Sequence, residues 1–136
     1  MPYCTQADLI ERFGEDELLA IASDETGTAI DTAGVERACD DASGEIDGYV
    51  SAAGYTVPLA TVTCIITAYA CDIARYRLYD EHVSDAVKKR YDDAVKFLVR
   101  VSRGEVKLGI STGPASSSAG SVQMNSGRRV FSGGGY

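Results

Sequence analysis

Tryptophan does not occur in this sequence, and histidine occurs once, at position 82. A single imidazole excludes sites built on paired histidines and leaves general acid–base chemistry few carriers. His82 stands between Glu81 and Val83 in an expected turn, where it reads as a surface residue. The four cysteines, at 4, 39, 64 and 71, form no Cys-x-x-Cys pair. Structural zinc sites use closely spaced thiolate or imidazole ligands, so no metal is expected, and the thiols read as reduced and mostly buried. No apolar run is long enough to cross a bilayer, so no membrane partner is expected. Met1-Pro2-Tyr3-Cys4 is followed at once by polar residues, unlike a secretory signal. A protein made and kept in a cytoplasm is the expectation.

Catalytic motifs are also missing. The chain has no P-loop and no Gly-x-Ser-x-Gly elbow. Its adjacent carboxylates, Asp40-Asp41 and Asp92-Asp93, would point to different sides of a helix rather than to one substrate. Neither an enzyme nor a cofactor is expected.

What the chain does have is helical punctuation. Thr5 and Asp8 read as a capping-box variant, with Leu9, Ile10 and Phe13 as the apolar stripe and Gly14 as the stop. Glu15 to Ala22 reads as a second short helical piece, and Ser23 to Gly34 as a loop. Val35, Ala38, Ala42, Ile46, Tyr49, Val50 and Ala53 recur at threes and fours. They predict a helix from about residue 35 to 53, with Asp31 or Thr32 near its start. Gly44 and Gly48 inside it would suit close helix contact.

After a connector punctuated by Pro58, the run Val62 to Cys71 is apolar nearly all round. It predicts the central, most buried helix, from about 61 to 79. Ser84 is placed to cap a last helix from 85 to 102, with Val87, Tyr91, Ala94, Val95, Leu98 and Val101 inward and Gly104 closing it. Lys88, Lys89, Arg90, Lys96 and Arg100 face outward in this register. Val106, Leu108 and Ile110 alternate, a pattern that suits a strand only beside a partner. Tyr69, Tyr76, Tyr79 and Tyr91 lie on the two most apolar helices, where core packing outweighs base stacking.

Residues 109–136 differ in kind: Gly and Ser fill 14 of the 28 positions. Such a segment buries too little apolar surface to offset its ordering entropy. The reading is all-α: a four- to five-helix bundle over residues 1–108, with a long flexible C-terminal arm over 109–136. Arg128-Arg129-Val130-Phe131 near the arm's tip is a candidate partner-binding anchor.

Charge is unevenly spread. Residues 1–83 hold four basic and sixteen acidic side chains, and residues 84–136 hold nine and four, for a net charge of −7. Identical subunits could therefore sit head to tail, acidic half against basic half. Lys88, Lys89 and Arg90 on one side, and Asp40 and Asp41 on the other, are the candidate subunit-interface residues. Firm duplex binding through the cations of residues 85–102 is disfavoured by the net acidity, yet a small DNA-binding, packaging or regulatory protein is the alternative reading.

Several blocks resemble one family. Tyr3-Cys4-Thr5-Gln6-Ala7-Asp8-Leu9-Ile10-Glu11-Arg12-Phe13-Gly14-Glu15 looks like the opening signature of the Mu-like phage neck proteins. Ala42 to Val50, followed by Tyr55 and Val57-Pro58-Leu59, is similar to the second block. Asp72 to Leu78 and Arg90 to Ala94 are similar to later blocks, and Arg129-Val130-Phe131-Ser132 to a short tail motif. The resemblance implies a head-completion or head-to-tail connector: a helical adaptor forming rings, commonly twelvefold, in the virion neck. It implies contacts with the portal protein and a tail terminator or stopper, and passage of DNA without sequence-specific binding.

Overall fold

A computed structural model describes residues 2–79 and 82–110. Five helices make up its regular structure: α1 Gln6–Phe13, α2 Glu15–Ile21, α3 Thr32–Ala52, α4 Cys64–Leu78 and α5 Asp85–Ser102. Among the described residues the only β pairing is an isolated bridge between Ser23 and Ile30, and no helix is long and apolar enough to cross a membrane.

Local chemistry sets the helix ends. The Thr5 hydroxyl accepts from the Asp8 N–H while the Asp8 carboxylate accepts from the Thr5 N–H, which completes the expected capping box. Gly14 then turns the chain from α1 into α2 at φ +94°, a conformation that favours glycine. Asp31 caps α3 by accepting from the Gly34 N–H, so α3 begins at Thr32, three residues ahead of its apolar stripe. The Thr63 hydroxyl accepts from the Ile66 N–H and starts α4 later than the apolar run alone suggested. Ser84 caps α5 as expected.

Helices α3, α4 and α5 pack on one another and form the body, with α1 across α3 and α4 and α2 chiefly on α1. The core is fed by Val35, Ile46 and Val50 of α3, Ile66 and Ile73 of α4, and Leu98 and Val101 of α5. Helix α4 is central, but it is not buried end to end. Ile66 is fully buried, whereas Val62, just ahead of the helix cap, and Ile65, in the first turn of α4, are 41% and 43% exposed. The tyrosines pack rather than lie open. Tyr76 stacks on Tyr91 at 4.1 Å, and Tyr69 meets Phe97 at 4.7 Å, both across α4 and α5.

One expectation is corrected. A Cβ at Gly44 or Gly48 would meet nothing within 4 Å, so neither marks close helix contact. The segment after α5, where a strand was expected only beside a partner, forms turns in the single chain: Leu108 is buried, Val106 and Ile110 pack on the core, and the Leu108 N–H donates to the Tyr55 hydroxyl at 3.0 Å.

Polar stitches join distant parts of the chain. The Tyr3 N–H donates to Ser43 Oγ at 2.7 Å, its hydroxyl donates to Asp47, and the Leu59 N–H donates to that hydroxyl at 2.8 Å. Glu45 on α3 accepts from Arg77 of α4 at 2.7 Å and from the Tyr91 hydroxyl of α5 at 3.1 Å. The blocks that carried the family resemblance therefore meet in space.

Candidate functional site: charged faces and clefts

The last helix carries the basic candidates. Its apolar stripe faces the core, which leaves Lys88, Lys89 and Arg90 outside with side chains 59%, 77% and 60% exposed. None is without a partner in its own chain. Lys88 pairs with Asp92 at 3.2 Å and Lys89 with Asp93 at 3.1 Å, both one helical turn apart. Arg90 reaches back to Asp72 of α4 at 3.5 Å.

Asp72 was not singled out from the sequence, although a carboxylate inside Ala70-Cys71-Asp72-Ile73-Ala74 is the signal that could have found it. It is buried, and burial pushes its carboxyl above the usual carboxylate range despite the nearby charges of Arg90, Arg75 and Arg12. With Tyr69, Lys89, Arg90 and Asp93 it lines a cleft of about 440 Å³ between α4 and α5. The cleft offers both signs of charge over an aromatic wall, which suits a polar protein surface better than a small apolar ligand.

The acidic candidates lie on α3. Asp40 and Asp41 are both exposed, and neither forms an ion pair with Lys88, Lys89 or Arg90 among the described residues. The structure thus keeps the two candidate sets on separate helices of one subunit. Asp40 and Glu36 edge a cleft of about 430 Å³ with Cys4 and Cys39 in its wall. A neighbouring cleft of similar size opens between α1, α2 and the start of α3, edged by Glu15 and Asp16.

Cys4, Cys39 and Cys71 are buried and unbridged, whereas Cys64 is exposed. The Cys4 thiol touches Cys39 and Cys71, and those contacts, with burial, push its pKa up. Among the described residues no group of His, Cys, Asp and Glu is placed to hold a metal ion. Arg128, Arg129, Val130 and Phe131, and the expected arm from 111 onward, lie outside the described residues.

Comparison with known proteins agrees with the blocks. The chain is 35% identical over 109 residues to the Mu-like prophage FluMu protein gp36 of Haemophilus influenzae, covering 80% of this chain and 77% of that one. It is 32% identical over 135 residues to Gene product J of Escherichia phage Mu, covering 97% and 95%. The model of the family described as Bacteriophage Mu, Gp36 matches residues 3–126, nearly the whole length, and the chain belongs to that family of bacteriophage proteins.

Proposed function

We propose that the chain is a non-enzymatic structural protein of the virion neck. Copies form a ring between the portal protein and a tail terminator or stopper, and DNA passes through without sequence-specific contact. The observation that carries this reading is the separation of charge on a rigid helical body. Asp40 and Asp41 on α3 and Lys88, Lys89 and Arg90 on α5 are exposed and do not satisfy each other within one subunit. A neighbour placed head to tail can bring them together, and a head-to-tail contact repeats into a ring where its rotation closes. Net acidity also suits a conduit that DNA must leave.

The test is made on particles. Without this chain, infected cells should fill with DNA-packed heads that lack tails, and purified wild-type virions should contain the chain at constant stoichiometry. Its absence from finished virions would overturn the reading. Tight, salt-sensitive binding of the purified protein to duplex DNA would favour the DNA-binding alternative instead, although Lys88 and Lys89 already face Asp92 and Asp93.

A further inference from the structure

The cleft between α1, α2 and the start of α3 holds a feature that the fold does not explain. Gln6 stands between it and the cleft edged by Asp40 and lines both, and the Gln6 Oε1 atom is buried with no hydrogen-bond partner among the described residues. A buried carbonyl oxygen without a donor loses its hydration and gains nothing for it. Around it, half-buried Leu19 and Ile30 form an apolar floor, and exposed Glu15 and Asp16 stand at the rim. Neither acid has an ion-pair partner among the described residues. Their place in the first turn of α2 suits the helix dipole, but it accounts for neither the orphaned oxygen nor the floor.

We propose that this cleft receives the Arg128-Arg129-Val130-Phe131 segment of a second copy of the chain. A guanidinium carries five donors and no acceptor, which matches two exposed carboxylates that have no ion-pair partner among the described residues. Val130 and Phe131 supply the apolar surface that Leu19 and Ile30 lack. No other stretch of the chain sets two adjacent cations within two residues of an aromatic in an otherwise Gly- and Ser-rich setting.

The chain leaves the body at the end away from its own cleft, and head-to-tail packing makes a second copy's cleft the nearer one. Leu108 is bonded to Tyr55, three residues beyond the end of α3, whereas the cleft includes Thr32, the first residue of α3. The 21 residues of α3 put those ends about 30 Å apart. The segment therefore departs from the end of the bundle opposite to the cleft. A head-to-tail neighbour lays its own cleft beside that exit. Seventeen residues separate Ile110 from Arg128, a span of up to about 60 Å when extended, which is ample for the crossing.

The proposal rests on the connector reading only in taking a like subunit as neighbour, and it is tested with purified protein alone. In full-length chains carrying Cys64→Ser to remove the exposed thiol, Thr28→Cys is placed in the cleft of one chain. Ser132→Cys, next to the retained Phe131, is placed in another, labelled with heavy nitrogen. On mild oxidation the mixed disulfide should form about tenfold faster than with Ser51→Cys, an exposed control at the far end of α3; tenfold corresponds to about 1.4 kcal/mol. Arg128→Glu with Arg129→Glu should abolish the advantage, and Glu15→Arg with Asp16→Arg in the cleft chain should restore it. A rate equal to the control overturns the proposal. So does faster closure within single chains carrying both cysteines, which would place the segment in its own cleft. Either failure leaves the particle tests of the connector reading untouched.

Discussion

Arg75 holds Glu17 with two nitrogens, Nε at 2.5 Å and one terminal nitrogen at 2.9 Å. The pair ties α2 to α4, and the guanidinium also lies over the Phe13 ring at 4.2 Å. Burial works against the arginine's charge, yet Glu17 more than offsets it and raises its pKa further. Glu17→Ala should cost about 2 kcal/mol in urea unfolding, since it strips two charge-assisted bonds from a mostly buried guanidinium. Arg75→Lys should recover only part of this, because lysine lacks the fork. An unchanged midpoint for Glu17→Ala would mean that α2 is held by Leu18 alone.

Stability should fall in strong alkali for a nameable reason. Burial, and then the hydrogen bond to Asp47, push the Tyr3 hydroxyl up to about 12. Burial, and then the charge of Glu45, do the same to Tyr91, also to about 12. An unfolded tyrosine ionises near 10. The folded state therefore keeps both protons where the unfolded chain releases them. The contribution is intact below about pH 10 and lost as pH rises towards 12. Tyr3→Phe with Tyr91→Phe should be less stable at neutral pH but should decline less over that window, as followed by unfolding at stepped pH. A parallel decline would show that other groups set the alkaline limit.

Adjacent isoleucines should behave in opposite ways. Ile66 is fully buried in α4 and Ile65 is 43% exposed. Ile66→Asp leaves a charge in the core without a partner and should cost about 4 kcal/mol or more, enough to unfold the domain. Ile65→Asp should melt within a few degrees of the wild type. Equal loss in both variants would mean that the exposed first turn of α4 is covered by something else.

The contrast also shows how far the sequence could be read. The bounds of helix α5 were legible because Ser84 and Gly104 agree, although Val95 of its expected inward stripe stays off the core and Phe97 packs there instead. The start of α4 was not, because hydrophobicity runs on through Val62 while the Thr63 hydroxyl decides the first turn. Glu17 with Arg75, and Tyr3 with Asp47, are 58 and 44 residues apart, and no local pattern announces such partners. The basic candidates were placed correctly on an exposed face of α5. Asp92 and Asp93, which temper Lys88 and Lys89 from one turn along the same helix, stand at a spacing the sequence carries; Asp72, which tempers Arg90, became visible only once α5 lay against α4. Gln6 read merely as a residue of a capped helix; its unpartnered oxygen is a property of packing.

That tempering shapes the remaining prediction. Reversing Lys88, Lys89 and Arg90 to Glu should weaken association of the purified chain and its entry into particles. The internal pairs make the size of the effect modest per residue, since exposed ion pairs contribute only about 0–1 kcal/mol each. Three reversals, however, also set new glutamates against Asp92, Asp93 and Asp72, so the face changes from nearly balanced to strongly acidic. Held against Asp40 and Asp41 of a neighbour, it would repel. Wild-type association should weaken as salt rises and the Debye length shortens, whereas the variant should gain from added salt as repulsion is screened. Asp40→Lys with Asp41→Lys in the variant background should restore part of the association at low salt. Sedimentation at two ionic strengths reads all three outcomes. If the triple variant associates and enters particles like wild type in both, the α3 and α5 faces do not meet across subunits.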